Sequence, residues 1–171
     1  TFCKLQYIFE MSERDFFEYY TKKDGENSNA LYLQAWHEHL EHLFNKIPEL
    51  PFSNLWIAMK MSKLIPDNSV IHFGILNSLR SWNFFELPKS VESNANVGGF
   101  GIDGCVSTLL GASLANKDKL YFGVVGDLAF FYDMNSLGNR HVGRNLRILL
   151  VNNGKGTEFR NFSHPAAQFG E

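Results

Sequence analysis

The sequence predicts an α/β fold, a doubly wound parallel sheet with helices on both faces. Three observations carry that prediction. Short apolar runs at 69–75, 119–125 and 146–151 lack the polar alternation expected of a sheet with one wet face. Stretches with helical spacing separate them, the order that builds parallel strands through helical crossovers. Two successive runs stop abruptly on Gly126-Asp127 and Asn152-Asn153, at the strand ends where such sheets bind ligands.

The elements follow in chain order. Residues 1–9, TFCKLQYIF, read as a strand. Ser12 and Asp15 give MSERDFFEYYTKK a capping-box-like helix start. KDGENSN (23–29) is polar and turn-rich, the best linker candidate. A second helix spans about 30–47, with Leu33, Trp36, Leu40, Leu43, Phe44 and Ile47 at helical spacing. Beyond residue 53 the chain reads helix (NLWIAMKMSKLI), strand (SVIHFGI), helix (GIDGCVSTLLGASLA), strand (KLYFGVV), helix (AFFYDMNSLGNRH) and strand (LRILLV). The first strand has no visible start and no final element closes the fold. The expectation is a fragment of a larger multidomain chain.

Composition narrows the class. The 171 residues are 44% hydrophobic with a formal charge of -2, so no cluster of Lys and Arg argues for nucleic acid. No apolar run reaches the roughly 18 residues a membrane span needs, and no signal peptide is visible. Cys3 and Cys105 form no disulfide framework or metal motif, which fits a reducing, cytoplasmic compartment.

Several motifs are weaker than they look. HEHLEH (37–42) places Glu41, not His, four residues after His37, so the metalloprotease pattern fails and a solvated helix face is the plainer account. GFGIDG (99–104) matches G-x-G-x-x-G, but a polar segment precedes it and the region about twenty residues on, LYFGVV (120–125), has no acid at the expected place. Its glycines still imply a close backbone approach followed by a helix start. GKGT (154–157) is not a P-loop, because Leu149 stands where the first glycine belongs. Arg160 and His164 fall in a loop and are only candidates for substrate contact.

Gly126-Asp127 and Asn152-Asn153 carry more chemistry. Neighbouring parallel strands ending there set a carboxylate and an amide oxygen side by side. Hard oxygens of that kind suit Mg²⁺ shared with phosphate oxygens, and the helix after Asp127 adds backbone donors. The alternative is that both pairs simply make turns and caps. Residue chemistry alone does not choose between them.

The whole pattern resembles the signature of thiamine-diphosphate-dependent enzymes: Gly-Asp, twenty-odd residues, then Asn-Asn. Here Asp127 and Asn153 lie 26 positions apart. GIDGCVSTLLGASLA, GVVGDLAFFYDMNSLGN and LLVNNGKG look most like the diphosphate-binding domain of the menaquinone-biosynthesis synthase branch. That branch similarly carries Gly-Asp-Leu and Gly-Ile-Asp-Gly. The resemblance covers about residues 50–165. It implies that 1–45 end a preceding central domain and connecting helix, and that 46–171 are the diphosphate-binding domain.

By the same resemblance, Asp127, the Asn153 side chain and the Lys155 main-chain carbonyl bind Mg²⁺. The loop leaves a one-residue register open, with Gly154 or Gly156 as alternates. Gly126 belongs to the signature, and the amides of Leu128 and Ala129 face the diphosphate. Ile102 is the apolar wedge that bends the cofactor, and Asn77 and Ser78 match the family's Asn-Ser beside the active site. The activity implied is decarboxylation of a 2-oxoacid followed by carbon–carbon bond formation, a transferase or lyase reaction. It needs a glutamate from a pyrimidine-binding domain not contained in these residues, usually on a partner subunit of a homodimer or homotetramer. The fragment itself is expected to be inactive.

Two departures stand out. Val97 replaces an arginine expected five residues before Ile102, and Arg80 only approximates another after Asn77-Ser78. Loss of a bidentate carboxylate clamp leaves open a different 2-oxoacid or acceptor. The alternative functions are an NAD- or FAD-binding oxidoreductase domain resting on GFGIDG, and a non-catalytic relative serving as a binding or assembly module.

Overall fold

The computed structural model describes residues 7–23, 30–99, 101–156, 165 and 168. The chain divides into two compact units, Thr1–Glu49 and Leu50–Glu171. The first holds α1 (Glu13–Lys23) and α2 (Ala30–Phe44). Ser12 starts α1 as the sequence suggested: its Oγ accepts from the Asp15 amide at 3.1 Å and donates to Asp15 Oδ2 at 2.7 Å. Tyr7–Glu10 form no strand, while residues 1–6 and the candidate linker at 24–29 lie outside the described residues.

The second unit is a four-stranded, all-parallel sheet in the order β2-β1-β3-β4, with β1 Val70–Phe73, β2 Glu92–Ala95, β3 Tyr121–Gly126 and β4 Leu146–Val151. Its helices are α3 (Asn54–Met61), α4 (Asn77–Trp82), α5 (Cys105–Ser113) and α6 (Asp127–Asp133). Period-two alternation sends strand residues to opposite faces. Ile71, Phe73 and Val124 pack with Ala58 of α3 and Trp82 of α4. Val70 and Tyr121 pack with Leu109 of α5, and Val125 packs with Cys105 of α5 and Ala129 of α6. Burial on both faces explains why the strands read as unbroken apolar runs.

Three predicted helices are shorter than their apolar patterns. Ser53 caps α3 by accepting from the Trp56 amide at 3.2 Å, but the helix tightens into a 3-10 turn at Ser62–Leu64, just before Pro66. α6 passes into a 3-10 turn at Met134–Gly138, where the Ser136 hydroxyl donates to the Asp133 carbonyl at 2.7 Å. α5 starts only at Cys105, because Gly104 sits at φ 77. Mid-strand Gly123 lets α5 settle closely on β3: a Cβ there would lie 2.5 Å from Leu109 Cδ2.

Asn145 fixes the start of β4. It is buried, and its Nδ2 lies within 3.0 to 3.3 Å of three carbonyls, those of Ser113, Asn116 and Lys119. Its own carbonyl accepts from the Tyr121 amide at 2.8 Å, so one residue ties the end of α5, the following loop and both strands. Asn145→Ala strands these buried acceptors. It should cost about 2 kcal/mol, read as a lower midpoint in chemical denaturation with an unchanged slope.

His72 carries a second expectation. The side chain is buried in β1, its Nε2 finds no partner among the described residues, and burial holds its pKa below the ordinary 6.5. The unfolded chain therefore binds this proton more readily than the folded one. Stability from this group is complete above about pH 6.5 and declines as the pH falls below it. Denaturation midpoints of His72→Gln measured from pH 7.5 down to 5 should fall less steeply than those of the wild type.

Candidate functional site

Parallel pairing carries the two polar strand ends to one edge. β3 and β4 run in register, with Val124 opposite Leu149, Val125 opposite Leu150 and Gly126 opposite Val151. Asp127 and Asn152-Asn153 therefore leave the sheet together. β1, the other neighbour of β3, ends beside them, and the Gly74 amide donates to the Val124 carbonyl at 2.8 Å.

A cavity of about 220 Å³ opens between these ends. Asn77 and Ser78 line it from the start of α4, and Ile102 from the loop before α5. Gly126, Asp127, Leu128 and Ala129 line it from the end of β3 and start of α6, and Asn153 and Lys155 from the loop after β4. The nine residues that the resemblance assigned to the cofactor are thus brought to one cavity, which the alternate Gly154 does not line. Asn54, Ile75, Leu76, Val151 and Gly156 complete it. Of these, only Gly156 had figured in the sequence reading, as a register alternate. Asn54 starts a helix distant in sequence, and Leu76 has no local signature.

Asp127 is the centre of the arrangement. It is 6% exposed, and both carboxylate oxygens are engaged. Oδ1 accepts from the Leu128 amide at 2.8 Å and Oδ2 from the Gly154 amide at 2.7 Å. The second contact crosses from the end of β3 to the loop after β4. Gly154 makes it from φ 66, a conformation in which a side chain would be strained. Asn152 Oδ1 also accepts from the Gly154 amide at 3.2 Å, and Asn153 Oδ1 accepts from the Lys155 amide at 3.1 Å. The loop is therefore folded over its own amide side chains, with a carboxylate beneath it. The Leu128 amide is already turned to Asp127.

A larger cavity, about 420 Å³, lies beside β2, with Trp82, Phe85 and Leu87 among its walls and Lys89 as its one charged lining residue. Asn83, Ser93 and Asn94 also line it, but no carboxylate does, whereas the smaller cavity gathers a buried carboxylate and amide side chains. Val97 is 47% exposed and lines neither cavity, and Arg80 lies in the last turn of α4. The segment around GFGIDG enters the smaller cavity through Ile102; Phe100 of that motif lies outside the described residues, as do Thr157, Arg160 and His164. His37, His39 and His42 sit exposed on α2.

The fold is an α/β domain with oxygen-bearing side chains gathered at the carboxyl edge of its parallel sheet, where such sheets take ligands. No family model matches the chain. Curated proteins do. The 2-succinyl-5-enolpyruvyl-6-hydroxy-3-cyclohexene-1-carboxylate synthase of Bacteroides fragilis is 40% identical over 134 residues, which is 78% of this chain and 24% of the synthase. The synthase of the same name from Christiangramia forsetii is 40% identical over 124 residues, 72% of this chain and 21% of that protein. The one from Flavobacterium johnsoniae is 30% identical over 167 residues, 94% of this chain and 29% of that protein. The chain is a relative of these synthases across most of its length, and it spans about a quarter of theirs.

Because Asp127 joins the ends of β3 and β4, it should matter to stability even with no ligand. Asp127→Ala removes the acceptor of the Leu128 amide and leaves the Gly154 amide only its longer contact to Asn152, and should cost about 2 kcal/mol. Amide hydrogen exchange followed residue by residue should show faster exchange at Gly154.

Proposed function

We propose that residues 46–171 are the diphosphate- and Mg²⁺-binding domain of a thiamine-diphosphate-dependent enzyme, and that 1–45 end the preceding central domain with its connecting helix. The observation that carries this reading is the gathering of all nine motif residues on one cavity around the buried Asp127 carboxylate. The similarity to the synthases supports it independently.

The donor set fits the group. Mg²⁺ takes oxygen ligands, one or two of them carboxylates, and completes its shell with phosphate oxygens and water. Asp127 and the Asn153 side-chain oxygen would hold it, with the Lys155 carbonyl as the third protein ligand. Each of the first two oxygens already accepts one backbone amide, which fixes its direction and leaves a further lone pair. The Ala129 amide serves the diphosphate, while Ile102 supports the apolar part of the cofactor. Bound thiamine diphosphate supplies the electron sink for breaking and forming a bond at a 2-oxoacid carbonyl carbon. This chain orients that cofactor and keeps its diphosphate in place.

A cavity of about 220 Å³ is small beside the usual 300–1,000 Å³ of small-molecule sites, which fits a domain supplying one side of a larger site. The remaining walls and the activating glutamate come from elsewhere in a homodimer or homotetramer. The substrate class is a 2-oxoacid. Val97 in place of an arginine points to a donor or acceptor chosen without a carboxylate clamp at that position. The reaction belongs with carbon–carbon bond-forming transferases or lyases in the cytoplasm; in the described residues no helix is long and apolar enough to cross a membrane.

Calorimetric titration of the full-length protein tests the proposal. Thiamine diphosphate should bind in the presence of Mg²⁺ and lose at least tenfold in affinity when the metal is chelated. Asp127→Asn, which keeps the shape and removes the charge, should abolish the metal dependence. Tight binding of NAD with none of thiamine diphosphate would favour a nucleotide-binding oxidoreductase domain instead. Residues 1–171 expressed alone should decarboxylate no 2-oxoacid.

A further inference from the structure

Two described residues other than glycine have positive φ, Asn68 at 59° and Leu76 at 71°. Asparagine tolerates such values. Leucine does not, and Leu76 has ψ −121°, outside the left-handed helical region and in the territory of glycine at the first corner of a tight turn. The surroundings impose it. The Gly74 amide continues the ladder to the Val124 carbonyl at 2.8 Å, while the Gly74 and Leu76 carbonyls accept from the Leu79 and Arg80 amides at 3.2 and 2.8 Å. Only Ile75 and Leu76 remain to turn strand β1 into helix α4.

Glycine would relieve this turn, and glycine takes positive φ elsewhere among the described residues, at Gly104 and Gly154. A leucine kept in such a position is kept for its side chain. Strain of this sort persists where surrounding structure over-determines it, and it gathers at ligand sites. Leu76 lines the cavity that holds Asp127 and Asn153, on the wall that Asn77 and Ser78 continue. That cavity combines polar lining, Asp127, Asn153 and Lys155 among it, with apolar lining from Leu76, Ile75 and Ile102.

We infer that Leu76 is a ligand-contact residue, held in a strained backbone conformation to set an apolar branch against the ring portion of the cofactor. This rests on the proposed function for the identity of the ligand. The diphosphate and its metal would be held at Asp127 and Asn153, which leaves the apolar lining residues to meet the organic part.

Three variants of the full-length protein separate strain from contact. Leu76→Gly and Leu76→Ala both delete the branch, but only glycine relaxes the turn. At an ordinary φ alanine would be the more stable of the two; here Leu76→Gly should melt several degrees above Leu76→Ala. Both should weaken binding of thiamine diphosphate with Mg²⁺ about tenfold, the scale of a lost buried apolar contact. Leu76→Met, which restores an apolar branch, should bind within about threefold of wild type. Weak binding by a glycine variant more stable than the alanine one cannot be ascribed to unfolding. Glycine and alanine variants that bind as tightly as wild type overturn the inference alone, and so does an alanine variant that melts above the glycine one. A wild-type protein that binds no thiamine diphosphate overturns the proposed function, and this inference with it.

Discussion

The register between β3 and β4 is the constraint on which the site depends. Side chains in a strand alternate faces, so a slip of one residue would turn the apolar set of either strand toward the wrong layer. It would also move Asp127 away from Gly154. The register is held at both ends. At the start, Asn145 binds three carbonyls of the α5–β3 connection. At the finish, the Asp127 carboxylate takes the Gly154 amide. Between them Gly123 lets Leu109 press onto the sheet, which sets how closely α5 and its preceding loop approach the crevice. Ile102 reaches the cavity on that loop.

What could be read from the sequence followed from burial. β1 and β3 are covered on both faces and announce themselves as apolar runs, as does the half-buried β4; α5 carries Val106, Leu109 and Leu110 at helical spacing. β2 escaped because Glu92-Ser93-Asn94 are exposed on an edge strand. Nothing in their composition shows a ladder formed solely by backbone groups pairing with β1. α4 escaped because six residues offer too little periodicity, and because its start at Leu76 breaks the rule that leucine avoids positive φ. Asn145 carried no signal either. Its three partners lie 26 to 32 positions away in sequence.

The polar strand ends were conspicuous in the sequence, for a physical reason. Polar groups gathered at one sheet edge must be particular residue types, so Asp127 and Asn153 stand out against apolar neighbours. The walls face no such demand. Any apolar residue of suitable shape can line them, and Ile75, Leu76 and Val151 are chemically indistinguishable from core positions until the chain is folded. The positions that choose a substrate are harder still. Val97 stands where a charged residue was expected, and its exposure leaves it open to whatever lies against that loop.

Asp127 serves two ends at once, and this couples stability to binding. Its carboxylate satisfies two backbone amides in the folded chain, and the same oxygens are the hardest donors facing the cavity. A cation arriving there meets a carboxylate already aimed and largely desolvated, so little reorganisation remains to be done at binding. The converse also follows. Among the described residues two backbone amides meet the Asp127 carboxylate, and under the proposed function a bound cation would add to the stabilisation they supply. Under the proposed function, a cation that neutralises Asp127 would therefore also steady the β3–β4 register that positions it.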